Sequence, residues 1–148
     1  QARVLDRLRL PAREPADGDP ALPPADLLID ALLGFGLAGA PRGAAAALVR
    51  AANAHPAPVL AVDLPSGLDA TTGAPADPCV RAARTVTLAL PKTGLLAPAA
   101  RPVVGDLFVA DIGVPPLLFR RLGLDVPPLF ARAAVLRVPL PAGRDEGA

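Results

Sequence analysis

Four short apolar runs punctuate the chain, and each gives way to a polar or glycine-rich turn. They are Asp26-Leu-Leu-Ile-Asp-Ala-Leu-Leu33, Val59-Leu-Ala-Val-Asp63, Thr85-Val-Thr-Leu-Ala-Leu90 and Gly105-Asp-Leu-Phe-Val-Ala-Asp-Ile112. Runs of this length, bounded by Gly, Pro and Asp, predict buried strands. They are solidly apolar instead of alternating, the pattern of a parallel sheet with helices over both faces. Between the first two, residues 43–54 (GAAAALVRAANA) predict a helix. Pro41 is its expected start, since proline is tolerated in a first turn, and Asn53-Ala-His-Pro its end. Strand, loop, helix, strand is the βαβ rhythm of an α/β fold.

The remaining segments are weaker. Residues 1–10 (QARVLDRLRL) place Val4, Leu5 and Leu8 at helical spacing, as in the tail of a helix, and Pro11 to Pro24 predicts a loop. Leu117–Leu122 predicts a short helix and Ala133–Val138 an edge strand. One domain is expected over residues 1–138. Residues 139–148, rich in Pro, Gly and charge, are expected to be a disordered tail.

Composition narrows the function classes. The 148 residues suffice for one domain with a real core. The formal net charge of +1 gives no reason to expect a nucleic-acid or membrane partner. No apolar run is long enough to span a bilayer and no signal peptide is evident, so a reducing cytoplasm is the expected setting. The single cysteine, Cys79, excludes an intrachain disulfide framework and reads as a buried or incidental thiol rather than a nucleophile. The chain opens on Gln1 and has no methionine, so it reads as a fragment, a processed product or an interrupted reading frame.

The candidate chemistry sits where strands end. In an open parallel sheet, ligands bind beyond the carboxyl ends of the strands. Asp30 ends the first run, and Asp63 and Ser66 follow the second. If these strands are neighbours, two carboxylates and a hydroxyl converge as a hard-oxygen site suited to an alkali or alkaline-earth cation. Paired His or Cys ligands for zinc are absent from the sequence. Each residue also has a plainer role: Asp63 and Ser66 as turn hydrogen-bonding groups, Asp30 as a solvent-facing strand end. Gly34, Gly36 and Gly39 form either a tight connection or a set of bare amides able to receive a phosphate. They lack the spacing and lysine of a P-loop. Lys92 at the third exit is either solvated or a phosphate partner. Asp69, Asp111 and His55 read as structural.

With these residues in view, the chain resembles the NAD(P)HX epimerase family, also called the YjeF N-terminal domain. The resemblance rests on Asp26 to Leu37, Pro41-Arg-Gly43, Ala57 to Gly73, Ala89-Leu-Pro-Lys-Thr-Gly-Leu95 and Gly105 to Pro115, in order, over roughly residues 26–116. Within it the Asp63-Leu-Pro-Ser-Gly-Leu-Asp69 block is specific. The resemblance implies a Rossmann-like three-layer α/β sandwich with a mostly parallel central sheet. It also implies a repair isomerase that interconverts the R and S epimers of hydrated NADH and NADPH. An ATP- or ADP-dependent dehydratase would be its functional partner and a potassium ion its cofactor, and the resemblance allows a homodimer. Carried over by position, Asp30 and Ser66 would hold potassium. Gly34, Phe35, Gly36, Leu37, Ala38, Gly39, Ala40 and Asp63 would contact the nucleotide. Asp63 is the expected proton-moving group. The family's Asn-Asn-Gly-Gly-Asp segment does not occur in the sequence. It is expected before Gln1 with the first strand and helices, which makes the domain over 1–138 partial and the sheet incomplete at the N-terminus. A non-catalytic ligand-binding or dimerisation module of the same fold is the alternative expectation.

Overall fold

The computed structural model describes residues 4, 7–9, 11, 20–36 and 39–140. The four apolar runs supply strands β1 (Leu28–Asp30), β2 (Val59–Val62), β3 (Arg84–Leu88) and β4 (Asp106–Ala110), and β5 (Val135–Arg137) forms the edge. Helix α1 (Gly43–Ala54) joins β1 to β2. Two 3-10 turns (Thr93–Leu96 and Pro98–Ala100) and the one-turn helix α2 (Arg101–Val104) join β3 to β4. Helix α3 (Pro116–Arg121) precedes β5. Spatial order follows chain order, with β1 to β4 parallel and β5 antiparallel to β4. The fold is therefore α/β with a mostly parallel central sheet.

The strands are shorter than the runs that predict them. Apolar length reports burial, whereas a strand lasts only as long as its hydrogen-bond ladder. After Asp30 the chain leaves β1 and brings Leu33 over Ser66. Helix α1 has the expected bounds, but Pro41 is buried just outside it, with Arg42 at the N-cap.

Register explains where the core sits. Asp30, Ala61, Thr85 and Leu107 pair across the sheet in one row, and all four are buried. Val59, Thr87 and Val109 are buried on the same face. Positions one residue on, such as Val62, Val86 and Phe108, point the other way and are half-buried, and Ile29 is 65% exposed. The cause is topological. When parallel strands follow one another in one direction, right-handed crossovers all fall on the same side. Val49 of α1 packs with Val59 and Ala61, while Leu64, Leu68, Leu95, Val103 and Val104 from the next two connections pack with Leu107. Helical cover over both faces, expected from the apolar strands, is present on one face among the described residues. These residues hold the sheet and one helical layer. Fully burying Leu64, Leu95 and Leu107 stabilises the fold by roughly 1.5–3 kcal/mol each.

The helix expected over residues 1–10 and the loop over 11–24 fall largely outside the described residues. The expected tail does so beyond Leu140. No described helix is long and apolar enough to cross a membrane.

Candidate functional site

The exits of β1 and β2 are joined by a buried polar pair. Asp30 is 4% exposed and Ser66 is fully buried. Ser66 Oγ donates to Asp30 Oδ1 at 2.6 Å, and the Ser66 amide donates to Asp30 Oδ2 at 2.8 Å. The Leu33 amide donates to Ser66 Oγ at 2.9 Å, and the Leu32 amide reaches Asp30 Oδ1 at 3.3 Å. These donors are neutral, so they hold the carboxylate by short hydrogen bonds in a dry setting, where such bonds are strong. The Leu33 carbonyl lies 3.3 Å from Ser66 Oγ, adding a fourth oxygen to the group. The turn carrying Ser66 depends on Gly67, whose φ is +102°. A Cβ there would lie 2.6 Å from the Pro78 carbonyl oxygen, so only glycine fits.

Asp63 belongs to a different constellation. Its φ is +71°, and the Leu64 amide donates back to the Val62 carbonyl at 2.9 Å. This is the rare γ-turn with positive φ. The exit of β3 repeats it: Ala89 has φ +64° and the Leu90 amide donates to the Leu88 carbonyl at 2.8 Å. Two adjacent strands thus end in strained turns, each costing on the order of 1–3 kcal/mol. Backbone strain of this kind concentrates at functional sites.

Lys92 bridges the two turns. Its ammonium donates to Asp63 Oδ1 in a close ion pair, to Thr87 Oγ1 at 3.2 Å and to the Leu88 carbonyl at 3.3 Å. Asp63 Oδ1 also accepts from the Leu88 amide at 3.1 Å and Thr87 Oγ1 at 3.2 Å. Among the described residues Oδ2 accepts no hydrogen bond. Burial pushes the Asp63 carboxyl up. The hydrogen bonds from Lys92 and the Leu88 amide, with the Lys92 charge and Thr87, outweigh that and hold it below the ordinary aspartate range.

The expected convergence of Asp30, Asp63 and Ser66 is therefore realised in part. Asp30 and Ser66 meet directly. Asp63 sits at the same end of the sheet but spends its hydrogen bonds towards β3, because its left-handed turn directs the side chain to that neighbour. Lys92 is neither a solvated lysine nor a free phosphate partner, since Asp63 engages it. Gly34, Phe35 and Gly36 line a cavity of about 170 Å³ with Leu68, Asp69, Ala70 and Thr71, and Phe35 is 79% exposed. Gly39 and Ala40 are described beyond that cavity, while Leu37 and Ala38 lie outside the described residues. A second cavity of about 500 Å³ opens at the exits of β3 and β4, between Leu90, Asp111, Phe119 and Phe130.

The residues read as structural behave so. Asp69 Oδ1 accepts from the Thr71 and Thr72 amides and the Thr72 hydroxyl at 2.7–2.9 Å, closing the turn. Asp111 accepts from the Gly113 amide at 2.8 Å. His55 caps the end of α1, its Nδ1 accepting from the Ala57 amide at 3.1 Å and its Nε2 lying 3.2 Å from the Pro23 carbonyl, which fits the Nε2–H tautomer. Cys79 is buried, and burial with the nearby Asp30 charge raises its thiol to about 11.

Sequence reasoning missed three features. Asn53 ties the end of α1 to the β2–β3 connection through the Cys79 carbonyl and the Arg81 amide, both at 2.8 Å. Gly94 lets the segment carrying Lys92 cross the Asp69–Ala70 backbone, because a Cβ there would lie 2.4 Å from the Asp69 carbonyl oxygen. The paired γ-turns carry no signature in composition. The only available signal was the Pro-Lys-Thr-Gly string at a strand exit.

A mostly parallel sheet whose exits carry a buried carboxylate–hydroxyl pair, two strained turns and a glycine-rich loop is a Rossmann-like α/β domain, a class in which ligands bind beyond the strand exits. The chain belongs to the family described as YjeF-related protein N-terminus, which matches residues 5–94. An NAD(P)H-hydrate epimerase from Dehalogenimonas lykanthroporepellens is 42% identical over 123 residues, 82% of this chain and 49% of its own length. One from Limosilactobacillus fermentum is 41% identical over 112 residues, 75% of this chain and 52% of its own. The bifunctional NAD(P)H-hydrate repair enzyme Nnr of Escherichia coli is 48% identical over 89 residues, 60% of this chain and 17% of its own length. This chain thus spans about half the length of the two epimerases. The crystal structure of yeast ynu0, YNL200c, shares the fold with a TM-score of 0.63 at 21% identity, covering 76% of this chain and 46% of the yeast chain.

Proposed function

We propose that this chain carries the strand-exit half of an NAD(P)H-hydrate epimerase, an isomerase that interconverts the R and S forms of hydrated NADH and NADPH. The observation that carries the reading is the buried Asp30–Ser66 pair, which joins the exits of β1 and β2 at the end of the sheet where Asp63 also sits, in a chain of this family. One cavity beside the glycine loop and another at the exits of β3 and β4 support a ligand bound at this end of the sheet. Gly34–Ala40 would face the nucleotide, with bare amides offered to its phosphates. Asp63 is ionised near neutral pH and has Oδ2 free of described partners, so it would accept and return a proton as the hydroxyl-bearing ring carbon inverts. A positioned group of this kind contributes about 10²–10⁴-fold in rate.

The residues fit a potassium ion in donor chemistry. Asp30 offers a carboxylate, and Ser66 Oγ and the Leu33 carbonyl offer neutral oxygens, with Ser66 Oγ 2.6 Å from Asp30 Oδ1 and 3.3 Å from the Leu33 carbonyl. No sulfur or nitrogen takes part, as suits a hard, weakly charged cation. Bound there, the ion would supply electrostatic organisation of the pocket. The reading includes an ATP- or ADP-dependent NAD(P)HX dehydratase as functional partner and a cytoplasmic setting, and it is compatible with a homodimer.

The test is titration of the chain with hydrated NADPH, followed by chiral separation of the epimers. Epimer exchange that falls at least 10²-fold in Asp63→Asn supports the assignment, and full speed in that variant removes Asp63 from the chemistry. Binding that persists when potassium is replaced by tetramethylammonium removes the ion. Tight binding with no exchange would favour a non-catalytic module.

A further inference from the structure

Lys92 is the described cation whose ammonium is committed at the strand exits. Its three N–H groups meet three acceptors: Asp63 Oδ1, Thr87 Oγ1 and the Leu88 carbonyl. The first acceptor belongs to the γ-turn ending β2, and the last is the carbonyl that closes the γ-turn ending β3. With its side chain 23% exposed, Lys92 has no N–H left over for an incoming phosphate. Its own backbone is held through the segment that follows it. The Leu95 amide donates to the Lys92 carbonyl at 3.1 Å, and the Gly94 amide donates to the Ala70 carbonyl at 2.9 Å where the two segments cross. Meanwhile Asp63 Oδ1 is saturated by Lys92, Thr87 and Leu88, which turns Oδ2 away from these partners.

We infer that Lys92 is the positioning residue of the proposed epimerase site, clasping the two γ-turns so that Asp63 presents Oδ2 to the hydrated ring. The inference rests on the proposed function for the identity of the ligand, and on the hydrogen-bond geometry alone for the clasp. Thr87 belongs to the same device: it is fully buried on β3, and its hydroxyl links Lys92 and Asp63. A lysine ammonium is a compact, tetrahedral donor, whereas guanidinium is a planar fork, so arginine cannot reproduce three convergent contacts.

The experiment uses the full chain at saturating potassium. Wild-type epimer exchange is measured first and decides the parent reading by itself. Lys92→Met is then expected to lower kcat by about 10²-fold with KM changed less than about threefold, as a small misplacement of a reacting group does. Lys92→Arg keeps the charge, serves if the methionine variant fails to fold, and is expected to lose at least about tenfold in kcat. A loss confined to KM, or a lowered melting temperature with kcat intact, overturns the inference and leaves Lys92 a structural brace. If the wild-type chain exchanges nothing, the clasp is judged by crystal structures of wild type and Lys92→Met, or of Lys92→Arg if Lys92→Met does not fold. Rotation of the Asp63 carboxylate or loss of its positive φ supports the clasp, and an unmoved Asp63 overturns it.

Discussion

Replacing Ser66 with alanine removes one fully buried hydroxyl, so the consequence can be worked from the hydrogen bonds it severs. The hydroxyl's 2.6 Å bond to Asp30 Oδ1 is lost, and the Leu33 amide loses its acceptor at 2.9 Å. The Ser66 amide keeps its bond to Oδ2, so the carboxylate is weakened and not orphaned. A hydrogen bond to a charged group contributes about 1.5–3 kcal/mol, and an unsatisfied amide costs about 1–3 kcal/mol when buried. Because Leu33 is only half-buried, water recovers part of the second cost. The expected destabilisation is about 2–4 kcal/mol. Alanine nearly matches serine in volume, so cavity formation adds little. Urea denaturation followed by circular dichroism reads this as a midpoint lowered by roughly 1–2 M at an unchanged slope, given slopes of about 1–3 kcal/mol/M. A loss below about 0.5 kcal/mol would mean that the Asp30–Ser66 pair does not join the two strand exits, and the site built on it would fall with it.

Gly67→Ala should cost about 2 kcal/mol or more, since it combines a φ of +102° with a 2.6 Å clash against the Pro78 carbonyl, and thermal melting reads it directly. The Asp63 carboxyl titrates below its unfolded value, so the stability it contributes is fully present above about pH 4 and lost as pH falls through the folded value. Urea midpoints of wild type should therefore drop more steeply than those of Asp63→Asn on acidification, and parallel curves would contradict the ion pair. With its thiol at about 11, Cys79 should resist a thiol reagent at pH 7.5 in the folded chain and react once denatured, and rapid labelling of the native form would place it at the surface.

The strands, α1 and the strand-exit location of the candidate site were legible because each follows from local apolar patterning. Asp30, Asp63 and Ser66 were legible as strand-exit groups that would converge if their strands were neighbours, and the register supplies that adjacency. The partner of Asp63 was not. Lys92 lies 29 residues downstream of Asp63, and nothing in a one-dimensional pattern says that both strands end in positive-φ turns facing each other. That the described residues cover one face of the sheet and not the other was equally hidden: Val62, Val86 and Phe108 are as apolar as the buried positions beside them.

By itself the sequence determined which segments become strands, because burying a short run of aliphatic side chains is favourable wherever the run ends up. It also marked the chemistry at the strand tips, since carboxylates and hydroxyls beside such runs have few other reasons to be there. Only the tertiary structure decided which of those groups face one another. Strand order put all three crossovers on one side of the sheet, and two strained backbone turns sent Asp63 to Lys92 while Asp30 kept Ser66. Those choices depend on the handedness of connections and on φ angles fixed by distant contacts, which no local pattern encodes.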